Sequence, residues 1–112
     1  MLLQKEALLE RLDNDTQLLK EVIGIFLADY PGKLANLRAA VTTRHYTEIA
    51  GGSHALRGSI STFGAKDAVD AARKLEAMGR HAQPEGIDEA LCALEREITL
   101  VACALDQLTK DE

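Results

Sequence analysis

The sequence predicts an all-α fold, an antiparallel four-helix bundle with a short additional N-terminal helix. Three observations carry this prediction. Four segments repeat apolar residues at alternating three- and four-residue intervals, no segment shows a sustained run of period-two alternation, and the connections between segments are short, which makes successive helices antiparallel neighbours. With 112 residues, 46% of them apolar, the chain is sized for one core. Residues 1–112 therefore read as a single helical-bundle domain.

A short amphipathic lead, Leu8, Leu9 and Leu12, is expected to cap one end of the bundle. The first long stripe is Leu19, Ile23, Phe26, Tyr30, Leu34, Leu37 and Val41, with Asp15 placed to cap its start. It keeps its phase across Pro31, so one long helix is expected, kinked where the proline ring removes a backbone donor. The second stripe is Tyr46, Ile49, Ser53, Leu56, Ile60 and Phe63, ending at the helix terminator Gly64. The third, Ala65, Ala68, Ala72, Leu75 and Gly79, is a narrow face of small residues that lets neighbouring helices approach closely. The fourth begins just after Pro84 and runs Ile87, Leu91, Leu94, Ile98, Val101, Leu105 and Leu108.

Composition excludes several function classes. Thirteen basic and eighteen acidic side chains give a net charge of −5, and four aromatics with no basic tract argue against nucleic-acid binding through phosphate neutralisation or base stacking. No apolar run approaches the roughly 20 residues that span a bilayer, and the start, MLLQKEALLERL, is charged and periodic. No membrane contact and a cytoplasmic location are expected. Cys92 and Cys103 lie eleven residues apart in one helical segment, about 16 Å along the axis and beyond disulfide reach. They read as reduced, small core residues.

Chemistry concentrates in Gly51-Gly52-Ser53-His54-Ala55-Leu56-Arg57-Gly58-Ser59. Glycine costs about 1 kcal/mol relative to alanine inside a helix, yet three of these nine residues are glycine, so something other than helix stability explains them. At about 100° per residue, Ala50, Gly51, His54, Gly58 and Ser61 share a face beside the buried stripe. The imidazole then stands among small neighbours, open to a docking protein. If the chain reverses around Gly64-Ala65, positions equally distant from the turn are level, which places Glu76 near His54 and Arg73 near Arg57. A carboxylate on one ring nitrogen fixes the tautomer and makes the other nitrogen the better nucleophile, while guanidiniums steady a phosphoryl group.

These residues resemble the histidine-containing phosphotransfer (HPt) domains of multistep phosphorelays. The likeness is His54-Ala55-Leu56-Arg57-Gly58-Ser59, then Phe63-Gly64-Ala65 and Leu75-Glu76, close to a pattern of His-x-Leu-Lys/Arg-Gly-Ser with downstream Gly-Ala and Leu-Glu. The glycine after phenylalanine is also similar to the phosphotransfer domain of chemotaxis kinases. The resemblance implies that His54 is the phosphoacceptor, that Arg57 stabilises the phosphoryl group where lysine is commoner, and that Gly58 leaves it room. It further implies that Glu76 orients the imidazole. Arg73 matches no motif and rests on the hairpin geometry alone.

By the same resemblance the partners are a histidine kinase and a response-regulator receiver domain. The receiver supplies the phosphorylatable aspartate, the acidic pocket and the Mg²⁺, while this chain holds no cofactor and does not hydrolyse ATP. The expected docking rim is Ala50, Gly51, Gly58 and Ser61. The ordinary reading of a lone helical histidine is a surface or satisfied residue, and it suits His45 and His81 near the predicted helix ends. No helix carries Glu-x-x-His, and no Cys/His cluster has metal-ligand spacing. Two other functions compete: a non-catalytic helical adaptor whose binding ignores His54, and a phosphotransfer module excised from a hybrid or chemotaxis-type kinase. A monomer is the default oligomeric state.

Overall fold

The computed structural model describes residues 5–110, which form five helices: α1 (Lys5–Arg11), α2 (Thr16–Thr42), α3 (Tyr46–Ser61), α4 (Lys66–Arg80) and α5 (Ile87–Lys110). Helices α2 to α5 run up, down, up and down, with α2 against α3, α3 against α4, α4 against α5, and α5 closing back on α2. The all-α, four-helix expectation holds, with α1 as the extra N-terminal helix.

Each boundary has a local cause. Asp13 and Asn14 both take left-handed backbone, φ 56° and 62°, to turn the chain out of α1. The Asp15 carboxylate then accepts the Leu18 N–H at 2.9 Å, capping α2 as expected. Helix α2 passes through Pro31 without interruption, in keeping with its unbroken stripe. Past α3, Gly64 at φ +68° turns the chain into α4. At the opposite end Arg44 donates to the Val41 carbonyl at 2.7 Å and pairs with Asp88 at 3.2 Å, tying the α2–α3 turn to the start of α5.

The four apolar stripes meet in one core, from which Leu8, Ile23, Leu37, Ile49, Leu56, Ile60, Leu75, Leu94, Ile98 and Leu105 are almost entirely withdrawn from water. Tyr30, Tyr46 and Leu108, included in the stripes, are only half-buried. Phe26 stacks on Tyr30 and meets the Phe63 ring edge-on, each at 5.3 Å between centroids. Helices α2 and α5, 27 and 24 residues long, outrun α3 and α4, at 16 and 15, so they extend beyond the α3–α4 turn. Helix α1 covers that end: Leu8 joins the core and the Arg11 guanidinium lies 3.5 Å from the Ser61 carbonyl.

Two features bear on the site. Helices α3 and α4 touch backbone to backbone at Gly79, where a β-carbon would lie 2.6 Å from the Ala50 nitrogen and 3.0 Å from the Tyr46 carbonyl oxygen. The small-residue face does what its composition predicts. The cysteines do not: Cys92 and Cys103 are exposed and free. Cys92 follows the buried Leu91 by one residue and Cys103 follows the buried Val101 by two, rotations of about 100° and 200° away from the core stripe.

Candidate functional site

The close approach at Gly79 holds α3 and α4 together one helical turn from Glu76, and Glu76 reaches across to His54 as the level hairpin predicts. His54 Nδ1 lies 3.0 Å from Glu76 Oε2. Arg57, one turn along α3, donates from Nε to Glu76 Oε1 at 2.9 Å, and its Nη2 lies 2.9 Å from His54 Nδ1. Arg80, one turn along α4, pairs with Glu76 Oε2 at 2.7 Å. One carboxylate thus gathers an imidazole and two guanidiniums.

Exposure divides the site by role. The Glu76 side chain is 5% exposed and the His54 side chain 63%, so the carboxylate is sealed in the bundle while the ring it contacts is open to solvent. Burial pushes the Glu76 carboxyl up, but the hydrogen bonds from Arg57 and His54 and the charges of Arg57 and Arg80 outweigh it and hold the group below the ordinary carboxylate range. Glu76 is therefore ionised at neutral pH and can only accept.

An ionised carboxylate has no proton to give, so the contact with Glu76 is a hydrogen bond only when Nδ1 carries one. In that neutral tautomer Nε2 holds the lone pair, and the exposed ring is a nucleophile at Nε2.

The depressed Glu76 value links the site to stability. A folded-state value below the ordinary 4.5 contributes stability that is fully present above the unfolded value and is lost as pH falls through the folded one. The stability difference between wild type and Glu76→Gln is accordingly expected to be constant near neutrality and to shrink as the pH drops below the unfolded value. Urea midpoints for both proteins across that range check this; a difference that stays constant into acid would contradict it.

Gly51, Gly58 and Ser61 are exposed, and a β-carbon at Gly51 or Gly58 would meet nothing within 4 Å, so packing does not require glycine at either position. Ser61 turns its hydroxyl onto the Gly58 carbonyl at 2.9 Å. Ala50 is only half-exposed, because its backbone abuts Gly79 on α4. Arg73 lines one cleft with Arg57, Glu76, Arg80 and His81, but its ion pair is with Asp70 at 3.6 Å. Its expected place near Arg57 holds as a shared cleft, without a bond to either His54 or Glu76.

Sequence reasoning missed Arg80. Its signal was present: an arginine four residues after the nominated glutamate, on the same helical face. His45 and His81 lie at the helix ends, as the N-cap of α3 and the C-cap of α4, outside the His54–Glu76 network. Among the described residues no group of three or more His, Cys, Asp or Glu side chains is arranged to hold a metal, and no helix is long and apolar enough to cross a membrane.

Comparison with known proteins bears on the family and the fold. The model of the Hpt domain family matches residues 21–108. No curated protein sequence matches significantly. Among solved structures the chain is similar to histidine-containing phosphotransfer protein B from Pseudomonas aeruginosa PAO1, with 19% sequence identity, a TM-score of 0.88, and coverage of 98% of this chain and 96% of that one. At that identity the likeness bears on the fold.

Proposed function

Because the chain belongs to the Hpt domain family, whose members carry phosphoryl groups in two-component phosphorelays, we propose that His54 is its phosphoacceptor and exchanges the group with the aspartate of a response-regulator receiver domain. The observation that carries the assignment is the contact of the exposed His54 ring with the buried, ionised Glu76. Of the three histidines in the sequence, His54 is the one so placed.

In the transfer, the Nε2 lone pair bonds to phosphorus as the bond from phosphorus to the aspartyl oxygen breaks, and the aspartate leaves as a carboxylate. No proton has to move in that step. Nδ1 keeps its hydrogen, and the positive charge that develops on the ring faces the Glu76 carboxylate. Arg57, one turn along α3 from His54, would turn from Glu76 to meet the phosphoryl oxygens, and the Mg²⁺ belongs to the receiver's acidic pocket. The chain itself acts as a carrier and does not hydrolyse ATP.

The docking rim comprises Gly51, Gly58 and Ser61, with Ala50 contributing only its outer side. Apolar contact is available next to it, in the groove between α2 and α3 lined by Val22, Ile25, Phe26, Tyr30, Leu56 and Phe63, where Ile25 is 63% exposed.

The test is transfer in both directions. A labelled receiver or an active histidine kinase should phosphorylate the chain under neutral or alkaline conditions, and the label should pass on to an unlabelled receiver aspartate. A folded chain that takes no label from a donor competent on another acceptor would contradict the proposal.

A further inference from the structure

Nδ1 of His54 stands within hydrogen-bond distance of two groups that demand opposite protonation. Glu76 Oε2, at 3.0 Å, requires a proton on Nδ1; Arg57 Nη2, at 2.9 Å, is a donor with no lone pair and requires the lone pair there. Both bonds cannot exist at once. When Arg57 donates to Nδ1, the proton of a neutral imidazole sits on Nε2, and the ring has no lone pair at that nitrogen.

We propose that Arg57 is a positioning residue that selects the tautomer of His54, holding part of the resting population with its proton on Nε2 and releasing it when a phosphoryl group draws the guanidinium away. On release Nε2 gives its proton to solvent and Nδ1 gains one from solvent, so the ring stays neutral. Nδ1–H then donates to Glu76 and Nε2 becomes the nucleophile. The inference rests on the assignment of His54 as phosphoacceptor and adds that the ring reaches full nucleophilicity as the phosphoryl group arrives.

The geometry supplies the parts. The bond from Arg57 Nε to Glu76 Oε1 anchors the guanidinium, and its rigid plane sets Nη2 against the ring. Arg80, paired to the other carboxylate oxygen at 2.7 Å, leaves Glu76 a charged partner when Arg57 turns outward. Lysine cannot reproduce this fork. A single ammonium drawn to the buried carboxylate has no second, fixed donor for Nδ1.

Nitrogen-15 NMR of histidine-labelled protein tests the proposal at about pH 8.5, where imidazole is neutral. The exposed His45 and His81 serve as internal references. In Arg57→Ala the ratio of the Nδ1–H to the Nε2–H tautomer at His54 should rise about tenfold or more over wild type, the effect of losing a hydrogen bond from a charged donor. Arg57→Lys should rise similarly, and because it keeps a cation beside Glu76 it carries the test if the alanine variant fails to fold. A wild-type ring already held wholly as Nδ1–H, a ratio unmoved by Arg57→Ala, or a lysine variant that keeps the wild-type ratio would overturn the proposal. The measurement involves no phosphoryl transfer, so its failure is separable from failure of the relay assignment.

Discussion

Replacing His54 with glutamine is expected to lower phosphoryl uptake by at least about a thousandfold while leaving the fold in place, because no other side chain paired with Glu76 has a neutral nitrogen lone pair to offer, and His81, at the C-cap of α4, makes no bond to that carboxylate. Glu76 faces its three cationic or donor partners with a carboxylate, and Arg57 and Arg80 have no lone pair to give. The fold should tolerate the change. The His54 side chain is 63% exposed, and Arg57 and Arg80 still pair the buried Glu76 carboxylate once the ring is gone, so the loss is expected to be about 1 kcal/mol, the worth of one hydrogen bond. Labelling and urea unfolding, run on the same preparations, check both halves. Undiminished uptake would move the phosphoacceptor elsewhere, and loss of cooperative unfolding would make the substitution uninformative about chemistry.

Gly79→Ala is expected to be the most damaging single-methyl change in the α3–α4 pair. The new β-carbon would sit 2.6 Å from the Ala50 backbone nitrogen, and since backbone rather than a flexible side chain is in the way, the helices must part. Alanine favours helix over glycine by about 1 kcal/mol, which offsets part of the cost. Overpacking costs about 1–3 kcal/mol, and an obstacle made of backbone puts this case in the upper part of that range, so a net loss of roughly 1–2 kcal/mol is expected. The parting occurs one turn from Glu76, so the reach from Glu76 to His54 lengthens, and transfer should slow about tenfold or more. Gly58→Ala is the control: its β-carbon meets nothing within 4 Å, and the variant should be as stable as wild type or more so. Equal stability of Gly79→Ala and wild type would mean that parting the helices costs no more than the roughly 1 kcal/mol that alanine returns in helix propensity, and would contradict the expectation.

Much of this architecture is legible in the sequence because it depends on periodicity and local chemistry. The four stripes are helix faces, Asp15 is a side-chain cap, and Gly64 supplies left-handed backbone that other residues adopt at a cost. The pairing of His54 with Glu76 is legible for a further reason: a hairpin around Gly64 and Ala65 converts distance from the turn into height along the bundle. The same rule only half succeeds for Arg73. Height along the bundle fixes which residues are level and leaves open which way a long side chain reaches, and Asp70, three residues away on the same helix, claims it.

Other features depend on contacts between helices that one helix's pattern does not contain. Ala50 looks like open rim from α3 alone and is partly buried where Gly79 approaches its backbone. Arg80 resembles any surface glutamate–arginine pair until Glu76 is known to be buried, at which point the same spacing makes it the second counter-charge of the site. The cysteines were misassigned for a simpler cause. Their apolar character was weighed without their angle, and both lie well off the Leu91, Leu94, Ile98 and Val101 face.

The central claim is that His54 carries the phosphoryl group on Nε2 with Glu76 holding the proton on Nδ1. Phosphorus-31 and nitrogen-15 NMR of the phosphorylated protein, kept alkaline, tests it most directly. The expected spectrum places phosphorus on Nε2 of His54, with Nδ1 still protonated in a hydrogen bond that disappears in Glu76→Ala. Phosphorus on Nδ1, or on His45, His81 or a carboxylate, would contradict the account.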